Sequence, residues 1–174
     1  MSIALEHITA PTDDARLLIG ELDAELNSAY SAEQRHGLNI ARIFQPNVYF
    51  IIARLDGGLA GCGGVAIEHD LAELKRMYVR PAMRGRGVAQ AILARLEQQA
   101  RAADISRLVL ETGDAQLAAI RFYERAGFRR CGAFGAYATM SPQSIVRSVF
   151  FEKEVKSGLE PPPHGRSDPD VTAL

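Results

Sequence analysis

Arg84-Gly85-Arg86-Gly87 stands where an apolar, strand-like run ends and an amphipathic stretch begins. The start of a helix offers free backbone N–H groups and the positive end of its dipole, and the two together hold phosphate well. Glycine lets a ligand approach the backbone closely, and guanidinium groups pair with phosphate oxygens. The plain alternative is a solvated turn with two surface arginines, because short glycine motifs are only hypotheses. The chain has no Gly-x-x-x-x-Gly-Lys-Ser/Thr loop. A dinucleotide fingerprint, Gly-x-Gly-x-x-Gly, is met at Gly85 and Gly87, but Gln90 stands at its third position. Glu111 lies about where that fingerprint's ribose-binding acid belongs, so a dinucleotide-dependent oxidoreductase is a rival reading.

Such a loop needs a strand before it and a helix after it. Residues 72–79 read as the strand, with alternation that falters around Arg76 and Met77 as at a bulge. Val88, Ile92, Leu96 and Ala100 form the apolar stripe of the helix. Upstream, residues 3–9 alternate as a first strand. Thr12 can cap a helix whose apolar positions are Leu17, Leu18, Leu22 and Leu26, and residues 32–44 read as a second, poorer helix. Residues 48–67 form a hairpin turning at Asp56-Gly57-Gly58. Gly61, Gly63 and Gly64 in its return strand imply a bulge or a close approach to the backbone. Downstream come a buried strand at 106–112, a helix over 114–128 stopped by Gly127, and a late strand at 148–155. A meander followed by βαβ predicts a mixed α/β fold, a mostly antiparallel sheet with helices on both faces.

At 174 residues the chain is read as one domain over 1–156 and a Pro-rich polar tail over 157–174. Its net charge of −1 offers no global field for nucleic acid. No apolar run is long enough for a membrane span, and the N-terminus lacks the pattern of a signal peptide. Cys62 and Cys131 make neither a disulfide framework nor a metal site and read as small buried hydrophobes. A cytoplasmic location is expected.

The segment from Met77 through Ala100 resembles motif A of the GNAT superfamily of acyl-coenzyme A-dependent N-acyltransferases, with Arg84-Gly85-Arg86-Gly87-Val88-Ala89 on the defining Arg/Gln-x-x-Gly-x-Gly/Ala pattern. A second match follows in order: Ala118 to Arg130 resembles the family's Ala-x-x-Phe/Leu-Tyr-x-x-x-Gly-Phe segment. The resemblance spans about 72–130 and implies acetyl-coenzyme A (acetyl-CoA) as co-substrate, with no metal. It implies a pyrophosphate held on the N–H groups of Arg84, Gly85, Arg86, Gly87, Val88 and Ala89. The pantetheine arm would run along Met77, Tyr78 and Val79 in the splay before Thr112, with Ala119 beside it. Many relatives contact that arm with Asn three residues before the position of Ala119; this chain has Gln116, the same amide on a longer stem.

The resemblance also implies chemistry. Tyr123 matches the family's usual proton donor to the departing thiolate. Its ordinary pKa of about 10 against about 8.5 for a thiol makes donation uphill by about 2 kcal/mol, so it should help without being indispensable. Glu73 matches the position of a general base in some relatives; Glu111, His36, His69 or a water relay are alternatives. The acceptor wall would come from residues 30–39 and 134–148. With Arg35 and Arg147 in that wall and Arg42 just beyond it all positive, the expected acceptor is a small-molecule amine that also bears a carboxylate. A non-catalytic acyl-CoA-binding module is the second reading. A homodimer is allowed by the sequence; nucleic-acid and membrane partners are not expected.

Overall fold

The computed structural model describes residues 1–156. The tail expected over 157–174 lies outside the described residues. Seven strands form one sheet: β1 (Ile3–His7), β2 (Val48–Leu55), β3 (Gly58–Glu68), β4 (Leu71–Val79), β5 (Arg107–Gly113), β6 (Arg129–Cys131) and β7 (Ser148–Glu154), in the spatial order β1-β2-β3-β4-β5-β7-β6. Every neighbouring pair is antiparallel except β4 and β5, which are parallel. The mixed, mostly antiparallel sheet is the one the sequence predicts. Among the described residues a single parallel pair leaves no doubly wound sheet, so the dinucleotide reading is set aside.

Among the described residues five α-helices flank the sheet: α1 (Asp13–Asn27), α2 (Ile40–Ile43), α3 (Val88–Ala102), α4 (Leu117–Arg125) and α5 (Pro142–Ile145). Leu18, Ile19 and Leu22 of α1 pack with Phe50, Ile52, Cys62 and Tyr78 on one face. Val88, Ile92 and Leu96 of α3, with Ile120 and Tyr123 of α4, pack with Ile51, Val65, Leu74, Leu110 and Phe151 on the other. Each large aliphatic side chain so buried contributes about 1.5–3 kcal/mol, which fixes α3 and the loop at its mouth.

Thr12 caps α1 as expected, with Oγ1 accepting from Ala15 N at 3.2 Å. Leu17 does not join the core; it is exposed, and Ala15 and Ile19 take its place in the buried stripe. The helix expected over 32–44 is a 3₁₀ turn (Ala32–Gln34) and then, after a break, the short α2. Arg35 is extended and Asn39 starts α2 with a new cap, its side chain accepting from Arg42 N. The glycines of β3 answer to a close approach: a Cβ at Gly63 would lie 2.6 Å from Met77 Sδ and 2.7 Å from Ile92 Cγ2. Cys62 is buried, and burial pushes its thiol up to about 12; Cys131 is only half-buried.

Candidate active site

The site is a gap in the sheet. β4 and β5 pair only from Leu71↔Arg107 to Leu74↔Leu110, so Lys75–Val79 and Glu111–Gly113 no longer meet. Opposite the gap, the β3–β4 register shifts between Cys62 and Gly64. Arg76 has φ +56, the left-handed region, at a cost of about 1–2 kcal/mol for a residue with a side chain. This is the bulge expected from the sequence. Its effect is to turn two successive side chains, Lys75 and Arg76, to the α1 face. Arg76 is buried and Nη2 donates to Asp23 Oδ1 at 2.5 Å, which holds the strained residue. Its Nε is a buried donor without a partner among the described residues.

A groove runs along Met77, Tyr78 and Val79, past Arg84, Gly85, Gly87, Val88 and Ala89, and along Gln116, Ala119 and Tyr123. Gly85 and Gly87 have φ +71 and +83, and Gly87 is the N-cap of α3. A Cβ at Gly85 would meet nothing within 4 Å, so the loop presents bare, open backbone, which suits a phosphate. Both arginine side chains of the loop have partners in the protein. Arg84 is turned back, with Nε donating to Val79 O at 2.8 Å and Nη2 to Glu25 Oε2 at 2.9 Å. Arg86 is exposed and lies 3.8 Å from Asp56. Tyr78 lines the groove, its backbone stands opposite Cys62 of β3, and its hydroxyl donates to Glu21 Oε2 of α1 at 3.3 Å.

A chamber of about 120 Å³ lies beyond the groove, lined among others by Tyr30, Arg35, His36, Glu73, Lys75, Arg76, Glu111 and Thr112. Leu22, Met77, Gln116, Ala119 and Tyr123 line both the groove and the chamber. Gln116 is the N-cap of α4, and its side-chain amide makes no protein hydrogen bond among the described residues. The helix expected from 114 begins later because Asp114 and Arg147 form a bidentate pair at 2.7–3.2 Å. That pair holds Asp114 below the usual carboxylate range and removes Arg147 from the acceptor wall. The Arg147 guanidinium covers the Tyr30 ring at 4.8 Å, and Tyr30 OH accepts from Ala115 N at 2.8 Å.

Tyr123 is buried, and burial pushes its phenol up. Gly127, at φ +90, stops α4 as expected, and Phe128 N donates back to Tyr123 O at 3.0 Å. That six-residue closure brings Phe128 against the Tyr123 ring, with centroids 5.6 Å apart, and so orients it.

Two carboxylates face the chamber. Glu73 Oε1 accepts from Tyr137 OH and from Lys75 Nζ, both at 2.7 Å, and Lys75 also reaches the Tyr137 hydroxyl. Burial, then the Glu73 charge, pushes the Tyr137 phenol up. Glu111 Oε1 accepts from Ser148 Oγ at 2.7 Å, and burial raises its pKa despite that bond. His36 reaches the site, with Nε2 bonded to Ser144 O at 2.9 Å, whereas His69 lies in the exposed β3–β4 turn and lines neither cavity. Lys75 and Arg76 are the chamber residues the sequence reading missed. The visible signal was two adjacent cations at the break in strand alternation.

A family model described as the acetyltransferase (GNAT) family matches residues 18–128. IAA acetyltransferase of Azospirillum brasilense is 40% identical over 147 residues, which are 83% of this chain and 93% of that protein. N-acetylaspartate synthetase of Rattus norvegicus is 34% identical over 110 residues, 62% of this chain and 37% of that protein. A solved Klebsiella pneumoniae structure, assigned as an acyl-CoA N-acyltransferase, has a TM-score of 0.71 at 31% identity, covering 88% of this chain and 98% of that one. The chain belongs to the GNAT family of acetyltransferases. It is an acyltransferase, and its co-substrate is an acyl-CoA.

Proposed function

We propose that the protein moves an acetyl group from acetyl-CoA to the primary amine of a small molecule by direct attack. The observation that carries this reading is the junction of Leu22, Met77, Gln116, Ala119 and Tyr123, which faces the groove on one side and the chamber on the other. An amine in the chamber could meet a thioester carbonyl there without a covalent enzyme intermediate. The Rattus norvegicus relative is named for an acetylated amino acid, which agrees with a small acceptor.

The co-substrate supplies an activated carbonyl and a thiol that must leave. The amine nitrogen bonds to the carbonyl carbon as the carbon–sulfur bond breaks. Gln116 and the open edge of β4 hold the arm, and the Gly85–Gly87 backbone holds the phosphates. The N–H of Met77 or Tyr78 donates to the carbonyl oxygen as charge builds on it, and Met77 is favoured because Tyr78 faces Cys62 in the ladder. Tyr123 gives its proton to the sulfur. Burial raises its pKa, and the same burial disfavours a thiolate beside it, which offsets part of the uphill cost of the transfer. The amine proton goes to a carboxylate. Glu111 suits this better than Glu73, whose Oε1 is already neutralised by Lys75 and Tyr137.

The test is release of free thiol from acetyl-CoA in the presence of a pooled amine library. Amine-dependent release supports the reading. Binding of acetyl-CoA with no release from any amine makes the protein an acyl-CoA-binding module instead.

A further inference from the structure

We infer that the acceptor carries a carboxylate at the end remote from its reacting amine, and that Arg35 and Arg42 receive it. The inference rests on the small-amine reading above and specifies its substrate class.

The chamber does not end at Lys75. A second chamber, of about 360 Å³, continues from it, and the two share Arg35, His36, Gly37, Glu73, Lys75 and Tyr137. The path from the groove therefore passes a narrow reacting end, a waist at Glu73, Lys75 and Tyr137, and a roomier far end that includes Arg42, Gln45 and Asn47. A long molecule fits this path better than a compact one.

The charges along the path are not evenly compensated. Lys75 is paired with Glu73 and Arg76 with Asp23. Arg35 makes one side-chain hydrogen bond among the described residues, from Nε to Ser31 O at 3.4 Å, and pairs with no carboxylate there. The Arg42 side chain makes no hydrogen bond or ion pair among the described residues. Against these two guanidiniums the far end sets Glu73, already neutralised, and Glu68, exposed at the rim. At the reacting end the acid without a cationic partner in contact is Glu111. The path thus runs from a carboxylate beside the reaction centre, past Arg35 where the two chambers join, to Arg42 at the far end, two guanidiniums with no carboxylate partner among the described residues. An ammonium is drawn to the first and an anion to the second, while a diamine is repelled at the far end. Guanidinium binds a planar carboxylate with two parallel hydrogen bonds.

The experiment compares matched acceptors in the full chain at saturating acetyl-CoA. The panel holds ω-amino acids of increasing length, their carboxamides, the parent alkylamines, the corresponding diamines and aminoalkyl phosphates. We expect an ω-amino acid to exceed its carboxamide in kcat/KM by about tenfold or more, mainly through KM. Arg35→Ala and Arg42→Ala should each bring that ratio down toward one, and Arg42→Glu should turn the preference toward the diamine. Equal efficiencies for acid and carboxamide in the wild type overturn the inference, as does a preference for the phosphate. So does an arginine variant that lowers both equally, since that is a structural effect. If no amine releases thiol, the small-amine reading fails on its own. The inference is then judged by binding, from the thermal shift of CoA-loaded protein with an acid and with its carboxamide. Stabilisation by the acid alone, lost in Arg42→Glu, upholds it; equal shifts overturn it.

Discussion

Tyr123 and Glu111 divide the proton traffic of the proposed reaction, and each can be isolated by removing a single atom or charge. Tyr123→Phe keeps the ring that packs edge-on against Phe128 and tilted against Phe151 and deletes the hydroxyl. We expect turnover to fall about 10²-fold, the low end of general-acid effects, with little change in melting temperature or acetyl-CoA affinity. A larger loss of affinity than of turnover would make Tyr123 a binding residue. Glu111→Gln tests the base and carries a pH signature. The folded pKa of Glu111 lies above its ordinary value because of burial, so the fold favours the protonated form. Its stabilising contribution is complete below about pH 4 and is lost as pH rises through the raised folded pKa. The Gln variant should therefore melt higher than wild type at neutral pH, with the difference shrinking toward pH 4, while amine turnover drops about 10²-fold. Thermal melts across pH and thiol-release kinetics measure both. Equal loss in Glu73→Gln with none in Glu111→Gln would return the base to Glu73.

At the scale of elements, the loop before α3 carries the sharpest prediction. Gly87→Val, the obvious block to phosphate approach, is confounded by φ +83, where a β-branched residue strains the backbone. Asparagine tolerates that region, so Gly87→Asn should fold and still put a side chain over the N–H groups. Calorimetry should show CoA affinity weakened at least tenfold with a small change in melting temperature; unchanged affinity would remove the loop from the phosphate site. The loop was legible because glycines, a strand and an apolar stripe agreed on it. The strand break at Arg76 was legible too, as lost alternation, but not its product, two cations on one face. The helix expected over 32–44 failed because apolar spacing cannot show where a chain is broken by Gly37, an extended Arg35 and a new cap at Asn39. Arg147 was misjudged because its partner, Asp114, is 33 residues away in sequence, and no local pattern predicts a pair across strands. Sequence could not separate Glu73 from Glu111, because what sets them apart are contacts with Lys75 and Tyr137 on one side and Ser148 on the other, Tyr137 and Ser148 both being distant in the chain.

At the scale of the whole molecule, the residues that meet in the site come from α1, β4, β5, α4 and the segments around Gln34 and Tyr137. The proline-rich, polar composition of 157–174 is poorly suited to burying a core. Truncation after Lys156 should therefore leave amine-dependent thiol release and solubility unchanged, and an insoluble or inactive product would show that 157–174 packs on the domain or on a partner subunit. The parting of β4 from β5 after Leu74 and Leu110 has a wider consequence. Among the described residues Lys75–Val79 and Glu111–Gly113 are two facing strand edges that do not pair with each other, the kind of edge that invites wrong pairings. The proposed pantetheine arm, lying along β4, would be the missing strand, so the metabolite would complete the fold as well as feed the reaction. At a concentration of 100 times its Kd it would add about 2.7 kcal/mol of stability. Amide exchange at Met77 and Val79 should then slow when CoA is added, and the protein's resistance to proteolysis should follow the supply of the compound it consumes. Exchange at those amides that ignores CoA would mean that the gap in the sheet is not filled by the arm.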